Sequence, residues 1–292
     1  MITPTVEWQV NGACNYQCSY CIQSPTFRRG RPESAALAAA VTWFADLPGP
    51  WEIKCSGGEA FANPLFLAEV VPGLMARTPH TISVLTNFSA NEAELARLLS
   101  LTGDRLRIVS ASLHLEHVTV EAFVARATWF VGRMPPGASF VVNQVVFPGR
   151  EAEARRCREV VVAAGLRWFP QLYKVKRKAV GETPGPGEEP FRVADYPDEA
   201  ALRDLIGASP GPREANVAPS YRGRRCAAGL RYLVVDKDGG AWRCRSARRH
   251  GEGYLGNVFD GTARLRAGPA PCTYTLCPCT VPANRGMIEG VG

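Results

Sequence analysis

From Thr5 to Tyr173 the chain alternates short β-branched runs with longer stretches of helical periodicity. That alternation predicts βα units and a parallel sheet, because each helix returns the chain to the start of the next strand. Strands are expected at Thr5–Val10, Trp51–Ser56, Thr81–Thr86, Leu106–Ser112, Ser139–Phe147 and Arg167–Tyr173, with helices near Ser34–Asp46, Pro64–Arg77, Asn91–Ser100, Val118–Arg133 and Glu151–Ala164. Ser34 suits an N-cap and Pro64 a first helical turn. The fifth strand is mostly apolar, as expected where both faces are covered. From Lys174 to Pro219 the character changes to a breaker-rich connector with one helix expected at Pro197–Ile206. Three parts follow: an α/β unit at 1–175, a connector at 176–219 and a cysteine-bearing part at 220–292.

Directly after the first strand stand Cys14, Cys18 and Cys21, in Cys-Asn-Tyr-Gln-Cys-Ser-Tyr-Cys. Three thiolates on one short loop can hold three corners of a cubane iron–sulfur cluster and leave the fourth iron without a protein ligand. An open position marks a metal centre that does chemistry, a closed one a structural or electron-transfer site. A zinc knuckle would want a fourth Cys or His close by, and the first 30 residues contain none. The start carries no basic stretch followed by an apolar run, and no run approaches the ~18 apolar residues of a membrane span. Ten cysteines in such a chain point to metal sites before disulfides and to the cytoplasm.

The spacing C-x3-C-x2-C, with aromatic Tyr20 before the last cysteine, resembles the signature of the radical S-adenosylmethionine (SAM) enzymes. The resemblance implies a partial (βα)6 TIM-like barrel with its site at the C-terminal strand ends. It also implies a [4Fe-4S] cluster whose open iron binds SAM, and an external one-electron reductant of the flavodoxin or ferredoxin type. In that family the reduced cluster cleaves SAM to a 5′-deoxyadenosyl radical, which abstracts hydrogen from the substrate. Gly57-Gly58-Glu59 ends the second strand. Its glycines let backbone approach a ligand, and its carboxylate can accept from SAM's ammonium. Ala60 stands where many relatives carry proline. Thr86 and Asn87 close the third strand and Ser110 and Ser112 the fourth; by resemblance they serve the SAM carboxylate and ribose, the plain alternative being strand-end caps. His114 and Glu116, with Tyr173 and Lys174 after the sixth strand, are candidates for substrate binding or proton transfer, or ordinary polar loops. Cys55 and Cys157 read as small core hydrophobes.

The second cysteine set is Cys226, Cys244, Cys272, Cys277 and Cys279. Leu233–Trp242 reads as a β-hairpin with an Asp-Gly turn. The order resembles the C-terminal SPASM extension or its shorter twitch form, which implies one auxiliary [4Fe-4S] cluster, since two would want about eight cysteines. Which four ligate stays open, and spacing alone does not separate iron from zinc. A formal charge of +7 would fall to about +4 with one three-thiolate and one four-thiolate cubane bound. Eight arginines between Arg222 and Arg249 crowd the C-terminal quarter, as a solvated face or as a docking surface for an acidic peptide or phosphorylated substrate. No RNA-binding aromatic motif accompanies them. The expected activity is radical SAM chemistry in maturation of a ribosomally made peptide, or alternatively on a small molecule such as an aminocyclitol or sugar. A non-catalytic iron–sulfur carrier would have no need of the Gly-Gly-Glu turn.

Overall fold

Val6, Trp8 and Val10 alternate with Thr5, Glu7 and Gln9, so strand β1 (Thr5–Asn11) offers one apolar and one polar face. The apolar face packs on helix α1 (Ser34–Ala45), where the Trp8 and Phe44 rings meet edge-on at 5.0 Å. The computed structural model describes residues 3–176, 191–207, 220–275, 277 and 280–291. Strands β2 (Glu52–Gly57), β3 (Thr81–Thr86), β4 (Leu106–Leu113), β5 (Ser139–Val146) and β6 (Arg167–Leu172) follow in parallel register. Between them run α2 (Val71–Arg77), α3 (Glu92–Thr102), α4 (Val120–Val131) and α5 (Glu151–Ala163). The expected partial barrel is therefore present.

Some local expectations need correction. Glu33, not Ser34, occupies the cap of α1, and the Ser34 hydroxyl donates to Glu69 instead. The expected Pro64–Arg77 helix begins with a π turn at Phe66–Val70 before α2. β5 alternates between buried Phe140, Val142, Gln144 and Val146 and half-buried Val141, Asn143 and Val145, so one of its faces is fully covered and the other is not.

The C-terminal quarter joins the same sheet. Strand β10 (Tyr232–Val235) pairs in parallel with β1, Thr5 opposite Tyr232 and Trp8 opposite Val235. It turns through Asp236–Gly240 into β11 (Gly240–Trp242), which pairs with β12 (Tyr254–Asn257). The order is β12-β11-β10-β1-β2-β3-β4-β5-β6. A short hairpin of β7 (Lys174–Lys176) and β8 (Phe191–Val193) leads to helix α6 (Glu199–Gly207). Strand β9 (Arg225–Cys226) pairs with β13 (Ala270–Pro271).

Two buried acids tie this quarter to the barrel. Glu7, 3% exposed, accepts from Arg245 Nε at 2.5 Å and the Tyr232 hydroxyl at 2.8 Å. Glu52, fully buried, pairs with Arg285 at 2.7 Å and Arg107 at 3.0 Å and accepts from Ser83 at 2.7 Å. Burial pushes the Glu7 carboxyl up, but Arg245, Lys54 and the Tyr232 hydroxyl outweigh it and hold it below the usual range. Removing one member of such a pair costs about 3–5 kcal/mol, because the other charge stays buried. No helix among the described residues is long and apolar enough to cross a membrane.

Candidate functional site

The cysteine loop leaves β1 and is seated on the turn that ends β2. Gly58 N–H donates to Asn11 O at 3.1 Å, Glu59 N–H to Ala13 O at 2.8 Å, and Asn11 Nδ2 to Glu59 O at 3.0 Å. A Cβ on Gly58 would stand 2.1 Å from Ala13 O and 2.3 Å from Gly12 O. Only glycine allows this approach of two backbones. Cys14, Cys18 and Cys21 are all half-exposed. Cys21 N–H donates to Cys18 O at 3.1 Å and Tyr16 N–H to Cys14 Sγ at 3.4 Å. Burial, with Glu116 and the neighbouring thiols, pushes Cys18 up to about 11. A bound metal reverses that preference, since coordination deprotonates a thiol outright.

Glu59 is 1% exposed, and its carboxylate accepts from the Thr86 hydroxyl at 2.7 Å, Asn87 N–H at 2.5 Å and Phe61 N–H at 3.2 Å. A carboxylate offers about four acceptor positions, so one is left for a ligand. Asn87 links this acid to the cysteines: its side-chain amide donates to Asn15 Oδ1 at 2.9 Å and reaches Cys14 Sγ at 3.8 Å. Glu59, Thr86, Asn87 and Cys14 thus form one connected group.

The segment after β4 straps the loop from the other side. His114 Nδ1 and the Tyr20 hydroxyl share a hydrogen bond of 2.6 Å, Glu116 accepts from Ser19 N–H at 2.8 Å and from the Ser19 hydroxyl, and His117 stacks on Tyr16 at 4.0 Å. Burial, with His117 adding to it, lowers His114 to about 4, so at neutral pH its ring is uncharged and Nδ1 can accept. Ligand atoms of Cys18, Glu116 and His117 lie within 4.8 Å of one another. His114 and Glu116 therefore lie against the cysteine loop. Tyr173 connects to the same loop through rings, lying at a tilt against Phe147 at 5.2 Å, which meets Tyr20 at 4.9 Å. Lys174 begins β7 beyond it. On β4, Ser110 accepts from Asn143 Nδ2 at 2.7 Å, and Ser112 lies opposite Asn143 in register. Cys55 and Cys157 are buried in the main core.

Cys226, Cys244, Cys272 and Cys277 line one pocket together with Tyr221, Ala228, Arg243, Ser246, Tyr274, Pro282 and Ile288. Cys279 lies outside the described residues. The hairpin achieves this gathering: its turn is closed by Asp236, which accepts from Gly240 N–H at 3.0 Å and Trp242 Nε1 at 2.9 Å, and β11 delivers Cys244 to the cap of a short helix. Four thiolates satisfy every iron of a cubane, the arrangement of an electron-transfer or structural site.

No family model matches the chain, and no curated protein matches it in sequence. Among solved structures, anSMEcpe with bound AdoMet and a Cp18Cys peptide superposes with a TM-score of 0.58 at 14% identity, over 88% of this chain and 78% of that one. SuiB of Streptococcus suis bound to S-adenosylmethionine superposes with a TM-score of 0.62 at 12% identity, over 89% of this chain and 64% of that one. The chain thus spans just under two thirds of SuiB's length. The chain shares the partial-barrel fold of these two proteins.

Within that fold, several residues of the candidate site carry no motif. Asn11 and Gly12 fix the loop's departure, Gln23 Nε2 donates to Gly57 O at 2.5 Å, and Ser19, Asn15, His117 and Phe147 hold the loop's flanks. Asn143 was visible as a polar residue in an apolar strand; the others look like ordinary loop residues.

Glu59 has a measurable signature. Burial pushes its carboxyl from an ordinary 4.5 up to about 7, against the pull of its three hydrogen bonds. The folded protein therefore keeps a proton there that the unfolded chain has released. The resulting stability is fully present below pH 4.5 and is lost as pH rises through about 7, an interval worth on the order of 3 kcal/mol. Glu59→Gln is expected to flatten this part of the stability profile, read as urea midpoints at mildly acidic and mildly alkaline pH. An unchanged slope in the variant would assign the pH dependence elsewhere.

Proposed function

We propose that the chain is a radical SAM enzyme acting on a peptide. The observation that carries the reading is Asn87, whose backbone holds the Glu59 carboxylate while its side chain touches Cys14. A SAM-binding acid and a cluster-binding loop are thereby built as one unit. In this reading Cys14, Cys18 and Cys21 hold a [4Fe-4S] cluster, and the remaining acceptor position of Glu59 takes SAM's ammonium. Thr86 and Asn87 keep that carboxylate aimed, Ser110 and Ser112 serve the carboxylate and ribose side, and Tyr20 is fixed by His114. When bound and reduced, the cluster supplies one electron to SAM, which yields methionine and a 5′-deoxyadenosyl radical able to take hydrogen from a substrate carbon. Cys226, Cys244, Cys272 and Cys277 hold an auxiliary cluster. An external one-electron donor of the flavodoxin or ferredoxin type supplies the electrons.

A peptide substrate is supported by the bound molecules of structures sharing the fold: Cp18Cys in anSMEcpe, and the precursor peptide SuiA in SuiB at a TM-score of 0.61 and 13% identity. Anaerobically reconstituted protein is expected to carry about eight irons and eight sulfides per chain and, with dithionite and SAM, to release 5′-deoxyadenosine. Absence of that product from iron-loaded protein would overturn the reading. A short peptide encoded beside the gene should change mass under the same conditions; an unchanged peptide would return the substrate to the small-molecule class.

A further inference from the structure

The C-terminal quarter sends two arginines onto buried acids, Arg245 to Glu7 and Arg285 to Glu52. A third, Arg243, is buried at 8% exposure but lines the four-cysteine pocket instead. Among the described residues no carboxylate pairs with it, its Nε has no hydrogen-bond partner, and its polar side-chain contact is a long 3.4 Å bond from Nη2 to Pro271 O. A buried, unpaired guanidinium carries a heavy desolvation penalty. Yet the chain makes room for it. Gly253, at φ +64°, leaves space that a Cβ would close to 2.7 Å from Arg243 Cγ, and Gly229 does the same beside Arg243 Cβ at 3.2 Å.

We infer that Arg243 is the counter-charge of the group bound by Cys226, Cys244, Cys272 and Cys277, and that it raises the reduction potential of that group. The inference rests on the auxiliary-cluster reading above. Four thiolates around a cubane core carry a net charge of about −2, which becomes about −3 on one-electron reduction. A fixed cation beside it favours the more negative state. Arg243 is a positioning and tuning residue here, with no contact to SAM or substrate required.

The test compares Arg243→Met, which keeps the stem, with Arg243→Lys, which keeps the charge. Iron is counted in each holoprotein. Potentials are read by electron paramagnetic resonance in mediated dithionite reductions, following the signal that SAM addition leaves unchanged. Arg243→Met is expected to make one-electron reduction of this cluster about tenfold less favourable, a midpoint about 59 mV lower, while Arg243→Lys recovers most of the difference. Equal potentials in all three proteins would overturn the inference. If Arg243→Met loses the second cluster altogether, retention in Arg243→Lys supports the charge role, and loss in both assigns Arg243 to packing and overturns it. Wild-type protein with about four irons, or with zinc in the second site, would instead bring down the cluster reading itself.

Discussion

Replacing Cys14, Cys18 and Cys21 together with alanine is expected to remove about four of about eight irons and to abolish SAM cleavage completely. The loop itself should survive the change. Its backbone is held by Gly58, Glu59 and Asn11 on one side, and its flanks by His114, Glu116 and His117 on the other, none of which needs a thiol. The thiols are half-exposed, so shortening them leaves no sealed cavity in the core. Circular dichroism and iron analysis of the variant check this, and residual 5′-deoxyadenosine production would remove the loop from the chemistry.

Gly58→Ala is expected to have the second-largest effect, although it adds a single methyl group. That methyl would lie 2.1 Å and 2.3 Å from two carbonyl oxygens of the cysteine loop. Both are backbone atoms, so no side chain can swing aside. Either the loop lifts off β2 or the Glu59 N–H to Ala13 O bond breaks, and overpacking of this kind costs about 1–3 kcal/mol or more. Iron content should fall by about four per chain, with a lower thermal midpoint. Gly268→Ala is the matched control, since a Cβ there meets nothing within 4 Å, and it should behave as wild type. A Gly58→Ala protein with full iron and unchanged SAM cleavage would show that the seat is dispensable.

The six barrel strands were legible because period and punctuation are local properties: β-branched runs, glycines after strands and apolar helical faces repeat from Thr5 to Leu172. The grouping of the cysteines was legible because their spacing is written directly in the chain, and Cys226, Cys244, Cys272 and Cys277 do line one pocket. Partnership was not. Glu7 and Glu52 alternate with apolar neighbours as solvent-facing residues would, and their burial depends on Arg245 and Arg285 arriving from far along the chain. His114 and Glu116 lie at a strand end, where a polar loop, a substrate site and a brace for the cysteines are spelled alike. Only the hydrogen bonds to Tyr20 and Ser19 distinguish the brace. Likewise Glu59 was readable as an acid at the end of β2, but not as one whose carboxylate is already held by three donors.

The pairing of Thr5 with Tyr232 sets an order of events during synthesis. β1 is made long before β10, so one of its edges is soon covered by β2 while the other stays bare until Tyr232–Val235 has followed. Contacts this distant in sequence form late and slowly, and an uncovered strand edge invites pairing with other chains. Fragments ending near residue 175 should therefore aggregate through β1 even though they hold every residue of the first cysteine site. β10 lies between Cys226 and Cys244 in the chain, so the strand that closes the first cysteine site's flank arrives together with the second cysteine group.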